Sequence, residues 1–448
     1  MSSSLVKPLR ADSPLSEWLE FIALIHPREI ELGLARIGRV ALRLGLQKPA
    51  SCVITVAGTN GKGSSVKTLE ACLQREGFKT GAYSSPHIVR FNERIRVDAC
   101  AVDDRIITDC FADIEAARGE DSLSYFEFTT LAALLHFSRC KLDFALLEVG
   151  LGGRLDAVNM IDPDLCLITN ISRDHEEWLG VGREKIGAEK AGILRRGVPF
   201  VFADRDPPIS VLQRADELEC EPVLIGRDFD FEQTGDSFNL RLQQGAKSLA
   251  LASLPVPSLH LANVSAALQC LQLLNRLPSQ QVLSDMLRTL ALEGRFEKRR
   301  DTASGRRVIL DVAHNEAAAL ALKQAIKRQG LGRVRLVFAV LADKAVEDIA
   351  LALESVVDVW YIAASGSARA EGELELEQRL LSVLPKAHIK RFDTLELAFQ
   401  KATTEQLDGT ARRSETNAGA PLQPVVVTGS FTTLGELYER EGLSRGWD

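Results

Sequence analysis

The sequence predicts an α/β protein: a P-loop-type, mostly parallel sheet with helices on both faces, then a second, smaller Rossmann-like α/β domain. Three observations carry this. Short β-branched runs alternate with helical patterns, which is the signature of parallel strands joined by crossover helices. Glycines and serines gather where those runs end. The alternation breaks once, at residues 225–258, and then resumes.

In chain order, Pro14-Leu15-Ser16-Glu17-Trp18-Leu19 opens a helix, and Leu32 to Leu46 shows apolar spacing of three and four. Residues 52–57 (CVITVA) form a strand that meets glycines, and Ser65 to Glu76 follows as a helix. Phe78 to Ser84 is a second strand, and 126–140 an apolar helix. Phe144 to Val149 and Leu165 to Thr169 are buried strands. Short alternating segments at 225–258 predict antiparallel strands, and His260 to Leu274 is an Ala- and Leu-rich helix. The second block has strands at Val308–Asp311, Val334–Val340, Val357–Ala363 and Val425–Gly429. Its helices are expected at Glu316–Gln329, 345–356, Gln378–Leu384 and Leu395–Glu405. Residues 406–422 are polar and aperiodic, a surface loop. The domains are therefore expected at 1–293 and 294–448.

The chain has 448 residues and net charge −7. Residues 1–293 hold 32 basic and 39 acidic side chains, and 294–448 hold 22 of each. Neither half has the basic excess of a general nucleic-acid binder. No apolar run approaches the roughly 20 residues of a membrane span, and the first residues show no secretory leader pattern. Eight cysteines are scattered without a CxxC pair, as suits buried thiols in a reducing compartment. A cytoplasmic protein without nucleic-acid or membrane partners is the expectation, acting as a monomer.

The sharpest motif is Gly58-Thr59-Asn60-Gly61-Lys62-Gly63-Ser64-Ser65, between a strand and a helix. Backbone N–H groups of such a turn, the helix N-terminus and Lys62 suit phosphate oxygens. Its spacing departs from GxxxxGK[ST], because Gly63 stands between Lys62 and Ser64. Ser84-Ser85-Pro86-His87 ends the next strand, on the side where open parallel sheets bind ligands. Glu148 ends an apolar strand, where a carboxylate is costly unless paired or metal-bound. Asp174-His175 follows another strand end. Ser85, Glu148 and His175 can hold Mg²⁺ with nucleotide oxygens completing its shell, His175 being the least usual ligand of the three. Glu189-Lys190-Ala191-Gly192-Ile193 places a lysine among small and apolar residues; a solvated helix face is its plain alternative. Asp311-Val312-Ala313-His314-Asn315 closes a strand, where Asp and Asn either cap the next helix or face a ligand. Gly294-Arg295-Phe296 lies where the domains join, and an arginine there suits phosphate.

Together these motifs resemble the Mur ligase family, and within it the folate branch, the bifunctional dihydrofolate synthase/folylpolyglutamate synthases. The resemblance runs through GTNGKGSS (58–65), YSSPH (83–87), RFNERIRV (90–97), LEVGLGGRLDAVN (147–159), DHEEWLG (174–180), EKAGI (189–193), GRFE (294–297) and DVAHN (311–315). It implies an ATP-dependent amide ligase that adds L-glutamate to 7,8-dihydropteroate and further glutamates to reduced folates. A monofunctional folylpolyglutamate synthase is the alternative. Gly58, Thr59, Asn60, Gly61, Lys62, Gly63 and Ser64 would bind the ATP phosphates, with Asn263, Arg295 and Asp311 as further ATP contacts. Ser85, Glu148 and His175 would be Mg²⁺ ligands. Lys190 would be the carbamylated lysine of the family and, so modified, a ligand of a second Mg²⁺. His314 would face the acyl phosphate and the incoming glutamate. Glu31, Leu32, Ser124, Tyr125, Phe126, Glu127 and Asp156 match pteroate-site positions; Phe126 would stack on a pteridine ring, or else be core. Glu31 stands where the family often has Asp, and Glu316 where Pro is usual. Two domains would let one hold ATP while the other closes over it and excludes water.

Overall fold

The computed structural model describes residues 9–28, 31–405, 422–440 and 442–447. The chain divides into two compact units, Met1–Leu290 and Ala291–Asp448.

The first unit is built on eight strands: β1 (Ala50–Ala57), β2 (Thr80–Tyr83), β3 (Ile95–Val97), β4 (Cys100–Ala101), β5 (Leu142–Glu148), β6 (Leu165–Ile168), β7 (Phe200–Phe202) and β8 (Pro222–Leu224). Their order is β4-β3-β2-β5-β1-β6-β7-β8. Six run parallel, and the β3–β4 hairpin adds to β2 antiparallel. The central strands are apolar because both faces are covered. In β1, Val53 joins a core with Trp18, Tyr83 and Phe128. Ile54 and Val56 point the other way by strand alternation, and they too are fully buried. Helices Lys62–Arg75 and Leu261–Leu273 pack on each other and on the sheet.

Register sets where the site lies. Val56 pairs with Glu148, Tyr83 with Leu147, and Ala57 with Ile168. The strands end level, so the loops after β1, β2, β5 and β6 leave the same edge, where open parallel sheets bind ligands.

Residues 225–258 form the expected antiparallel sheet: β9 (Asp230–Thr234), β10 (Ser237–Gln244) and β11 (Lys247–Pro255), ordered β11-β10-β9. Phe238, Leu240 and Leu242 alternate inward. The helix beneath carries one fully buried amide, Gln269. It accepts from Gln243 N at 2.9 Å and donates to Gln243 O at 2.7 Å, which satisfies it as a strand neighbour would.

The second unit holds β12 (Glu297–Asp301), β13 (Arg307–Leu310), β14 (Val334–Phe338), β15 (Val357–Ile362), β16 (Ile389–Arg391), β17 (Val425–Thr428) and β18 (Leu443–Arg445). The order is β16-β15-β14-β17-β13-β12-β18, with five parallel strands and β12 and β18 added antiparallel.

The differences from the sequence reading have local causes. The helix expected over Leu32–Leu46 covers Ala35–Arg43, bracketed by Gly33 and Gly45 at positive φ. The helix expected from Gln378 starts at Glu373, where Glu373 and Glu375 favour the N-terminal dipole. The loop expected at 406–422 lies, except for Leu422, outside the described residues. No helix among the described residues is long and apolar enough to cross a membrane.

Candidate active site

Lys62 begins a 14-residue helix directly after β1, and the turn between them is held from both sides. At Gly58 (φ +144°) a Cβ would fall 1.8 Å from Thr169 Oγ1, so the backbone must approach β6 bare. Thr169 Oγ1 in turn donates to Asn60 O at 2.6 Å. Thr59 N donates to Asn170 O, and Asn60 N to Asn170 Oδ1, both at 2.8 Å. Gly61 takes φ +87° as the N-cap residue, and no side chain caps the helix. The first helical N–H groups thus face the loop, as anion-binding helix starts do.

Two lysines meet on this loop. Lys62 Nζ donates to Gly58 O (3.1 Å) and Thr59 O (3.2 Å). Lys190, the last residue of helix Arg183–Lys190, donates from Nζ to the same Gly58 oxygen at 3.0 Å. Lys190 is 5% exposed, so the solvated-face alternative does not hold. Burial, and then repulsion from Lys62, pulls its pKa down to about 7, against the opposing pull of Asp174 and Asp156. Asp156 is itself pushed up to about 6 by burial. It accepts from Leu151 N (2.8 Å) and Val158 N (2.9 Å).

Of the expected metal ligands, Glu148 is buried at the end of β5 opposite Val56. Ser85 lies in the loop after β2, half-buried. His175 takes a left-handed conformation (φ 54°), with its N–H on Asp174 Oδ1 at 3.0 Å. Among the described residues no three His, Cys, Asp or Glu side chains converge on a metal position. A carboxylate, a hydroxyl and an imidazole at one sheet edge fit a divalent cation that takes its remaining ligands from phosphate and water.

Asn263 comes from a distant helix to the same loop: a Cβ at Gly61 would lie 2.2–2.5 Å from its amide. Gly61→Ala therefore meets both a left-handed backbone and a filled space. We expect a stability loss of about 1–3 kcal/mol and weaker nucleotide binding, measured by thermal melting and calorimetric ADP titration; unchanged ADP affinity would separate Asn263 from the nucleotide.

The residues matched to pteroate binding gather at one place. Gly33 N donates to Leu155 O at 3.1 Å, which sets Glu31 and Leu32 beside the Asp156 loop. The Phe126 ring, half-buried, lies against Gly150, where a Cβ would come within 2.5 Å of it. Tyr125 packs under Arg94, whose guanidinium carbon is 5.6 Å from the ring centroid. Ser124 and Glu127 form a capping box: Glu127 N donates to Ser124 Oγ at 3.3 Å and Ser124 N to Glu127 Oε2 at 2.8 Å. Arg36 bridges Glu31 and Glu127, reaching the latter at 3.1–3.2 Å. That pairing holds the Glu31 carboxyl below its usual range. Ser124, Glu127 and Glu31 therefore carry local structural duties.

In the second unit, Asp311 accepts from Phe296 N (2.8 Å) and Ala313 N (2.9 Å), and burial pushes its pKa up. Asn315 caps helix Glu316–Arg328 through Ala318 N at 3.0 Å. His314 Nδ1 lies 2.8 Å from Val312 O, which assigns its proton to Nδ1. Arg295 sits over the Phe431 ring at 5.1 Å, and His314 lies beside the same ring at 6.1 Å. Phe431 was not anticipated. Its signal was the strand-glycine-serine-helix run Val427-Thr428-Gly429-Ser430-Phe431, which repeats the logic of the first loop. Thr169, Asn170 and Ser172, whose N–H donates to Thr59 Oγ1 at 3.0 Å, were also missed, although TNIS follows the end of β6.

A parallel sheet that feeds a glycine-rich, lysine-bearing loop into a helix N-terminus, followed by a second α/β unit, is the architecture of a nucleotide-dependent α/β protein. The model of the Mur ligase middle domain matches residues 56–228, and that of the Mur ligase glutamate ligase domain matches 294–411. The dihydrofolate synthase/folylpolyglutamate synthase of Escherichia coli (strain K12) is 38% identical over 96% of each chain. The solved E. coli FolC in complex with DHPP and ADP superposes with a TM-score of 0.85 at 37% identity, covering 96% of this chain and 98% of that one. A bifunctional folylpolyglutamate synthase/dihydrofolate synthase with Mn, AMPPNP and L-glutamate bound gives 0.82 at 38% identity, with 96% and 98% covered. The chain belongs to the dihydrofolate synthase/folylpolyglutamate synthase branch of the Mur ligase family.

Proposed function

We propose that this chain joins L-glutamate to 7,8-dihydropteroate and then adds further glutamates to reduced folates, using ATP. The observation that carries the reading is the convergence of Lys62 and the buried Lys190 on the Gly58 carbonyl, at the edge where Glu148 ends its strand. A carboxylate is a poor acyl donor because its leaving group would be oxide. Transfer of the γ-phosphoryl group of ATP gives an acyl phosphate, and the amine of glutamate then displaces phosphate. Lys62 and the N–H groups at the start of its helix would hold the phosphates and offset charge on the transferring group. Ser85, Glu148 and His175 would hold Mg²⁺, which supplies charge neutralisation of the phosphoryl oxygens. With a pKa of about 7, Lys190 keeps a large neutral fraction at neutral pH. A neutral amine can add CO₂, releasing a proton, and the resulting carbamate suits a second cation. Arg295 and Asp311 are proposed ATP contacts, and His314 a proposed contact of the incoming amino acid. Phe126 offers a half-buried aromatic face to a pteridine ring. All eight cysteines are free, in keeping with a cytoplasmic setting. Exposed large apolar side chains are spread over many elements, in keeping with a monomer.

The test is substrate dependence. ADP release should require L-glutamate together with either dihydropteroate or a reduced folate. Turnover with reduced folate alone would leave only the polyglutamylating activity, and turnover with neither would overturn the reading.

A further inference from the structure

The segment RFNERIRV at 90–97 has no part in the chemistry above, yet its side chains hold the whole loop that follows β2. The Glu93 carboxylate accepts from Ile88 N (2.7 Å), Val89 N (3.0 Å) and Arg90 N (2.6 Å). Arg94 Nε donates to His87 Nδ1 at 2.8 Å, and Arg94 O accepts from Ser84 N at 3.0 Å. Arg96, on β3, donates from Nη1 to Ser84 Oγ at 2.9 Å and to Glu93 O at 2.9 Å. Its Nε reaches Glu70 Oε1 at 3.1 Å. Glu70 is fully buried on the helix that Lys62 begins; its other partner is Lys67, at 3.3 Å. Ser85 is thus flanked by held residues on both sides. One guanidinium ties the serine before it to the helix that carries the phosphate loop.

We propose that Arg96 is a positioning residue: anchored on Glu70 and acting through Ser84, it fixes the Ser85 hydroxyl relative to the phosphate-loop helix. This rests on the reading of Ser85 as a ligand of the divalent cation. The planar fork of arginine is what the arrangement uses, since Nε and Nη1 serve three partners at once, Glu70, Ser84 and Glu93. A buried charge pair adds little net stability but holds a geometry, and its loss leaves the buried Glu70 carboxylate with Lys67 as its remaining partner.

The experiment compares Ser84→Ala, Arg96→Lys, the double variant and Ser85→Ala in the full chain. Mn²⁺ binding to each ADP complex is followed by the electron paramagnetic resonance signal of free Mn²⁺. ADP binding without metal and thermal melting are measured alongside. Ser84→Ala leaves the Glu70–Arg96 pair intact, so it keeps the test valid if Arg96→Lys folds poorly. Positioning residues around metal ligands typically change affinity 10–100-fold. We expect Mn²⁺ affinity to fall about tenfold in Ser84→Ala and Arg96→Lys. ADP affinity without metal should be unchanged, and the double variant should be no weaker than the weaker single one. Wild-type Mn²⁺ affinity in Ser84→Ala and Arg96→Lys, with weakened binding in Ser85→Ala, overturns the positioning role alone. Wild-type affinity in Ser85→Ala overturns both that role and the reading of Ser85.

Discussion

Lys62→Ala is expected to lower ATP turnover by about 10³-fold while leaving the fold in place. The side chain is half-buried and, among the described residues, bonds two carbonyls of its own loop, Gly58 O and Thr59 O, so its loss removes little packing. What it removes is the positive charge at the start of a helix whose N–H groups alone would face the transferring phosphoryl group. The loss should appear mainly in kcat, because the loop backbone still binds the ground-state phosphates. A second effect follows from the geometry. Lys62 repels Lys190 and helps to hold its pKa near 7. Without Lys62 that pKa rises, and the neutral fraction available to CO₂ falls. Adding bicarbonate should therefore recover a small part of the lost activity, and the residual activity should shift to higher pH. Steady-state kinetics across pH, with thermal melting to verify the fold, checks this; unchanged turnover would sink the phosphate-loop assignment.

The loop was legible because its chemistry is local. GTNGKGSS needs only a strand before it and a helix after it to read as an anion cradle, and both were plain in the apolar pattern. The buried strands β1, β5, β6, β14 and β17 were equally plain, since apolar runs mark burial on both faces. The edge strands β16 (IKR) and β18 (LSR) were not, nor was β12 (EKRRD) beside β18; they carry charges and have no apolar run, so only their neighbours make them strands. Site residues that act through long-range contacts were hidden for the same reason. No spacing rule links Asn170 to Asn60, or Glu70 to Arg96. Phe431 joins Arg295 only because β17 ends beside β13. The duties of Ser124 and Glu127 were legible in principle, as a serine followed three residues on by a glutamate at a helix start. Reading them for a substrate passed over the cap.

Lys190→Met is expected to abolish ligation and, at low pH in bicarbonate-free buffer, to make the protein more stable. Methionine has similar length and no charge, so it fills the same buried space. The ordinary lysine pKa is 10.5, and the folded protein holds Lys190 near 7. Below pH 7 both the folded and the unfolded chain carry the proton, and the folded state bears the full penalty of a buried ammonium, on the order of 5 kcal/mol. Losing the bond to Gly58 O gives back about 1 kcal/mol, and imperfect packing about as much again. A net gain of about 3 kcal/mol at pH 6 remains. The sign with pH is fixed by proton counting. Between pH 7 and 10.5 the unfolded wild-type chain binds one proton more than the folded chain at this position. Wild-type stability must therefore rise with pH relative to the variant. The advantage of methionine shrinks across that window, crosses zero at about pH 9, and becomes a deficit of about 2 kcal/mol once the lysine is neutral in both states. Denaturant melts at pH 6, 8 and 10 read the difference directly. Parallel pH profiles for the two proteins would mean that Lys190 enters the folded state charged, which would remove the basis for its reaction with CO₂.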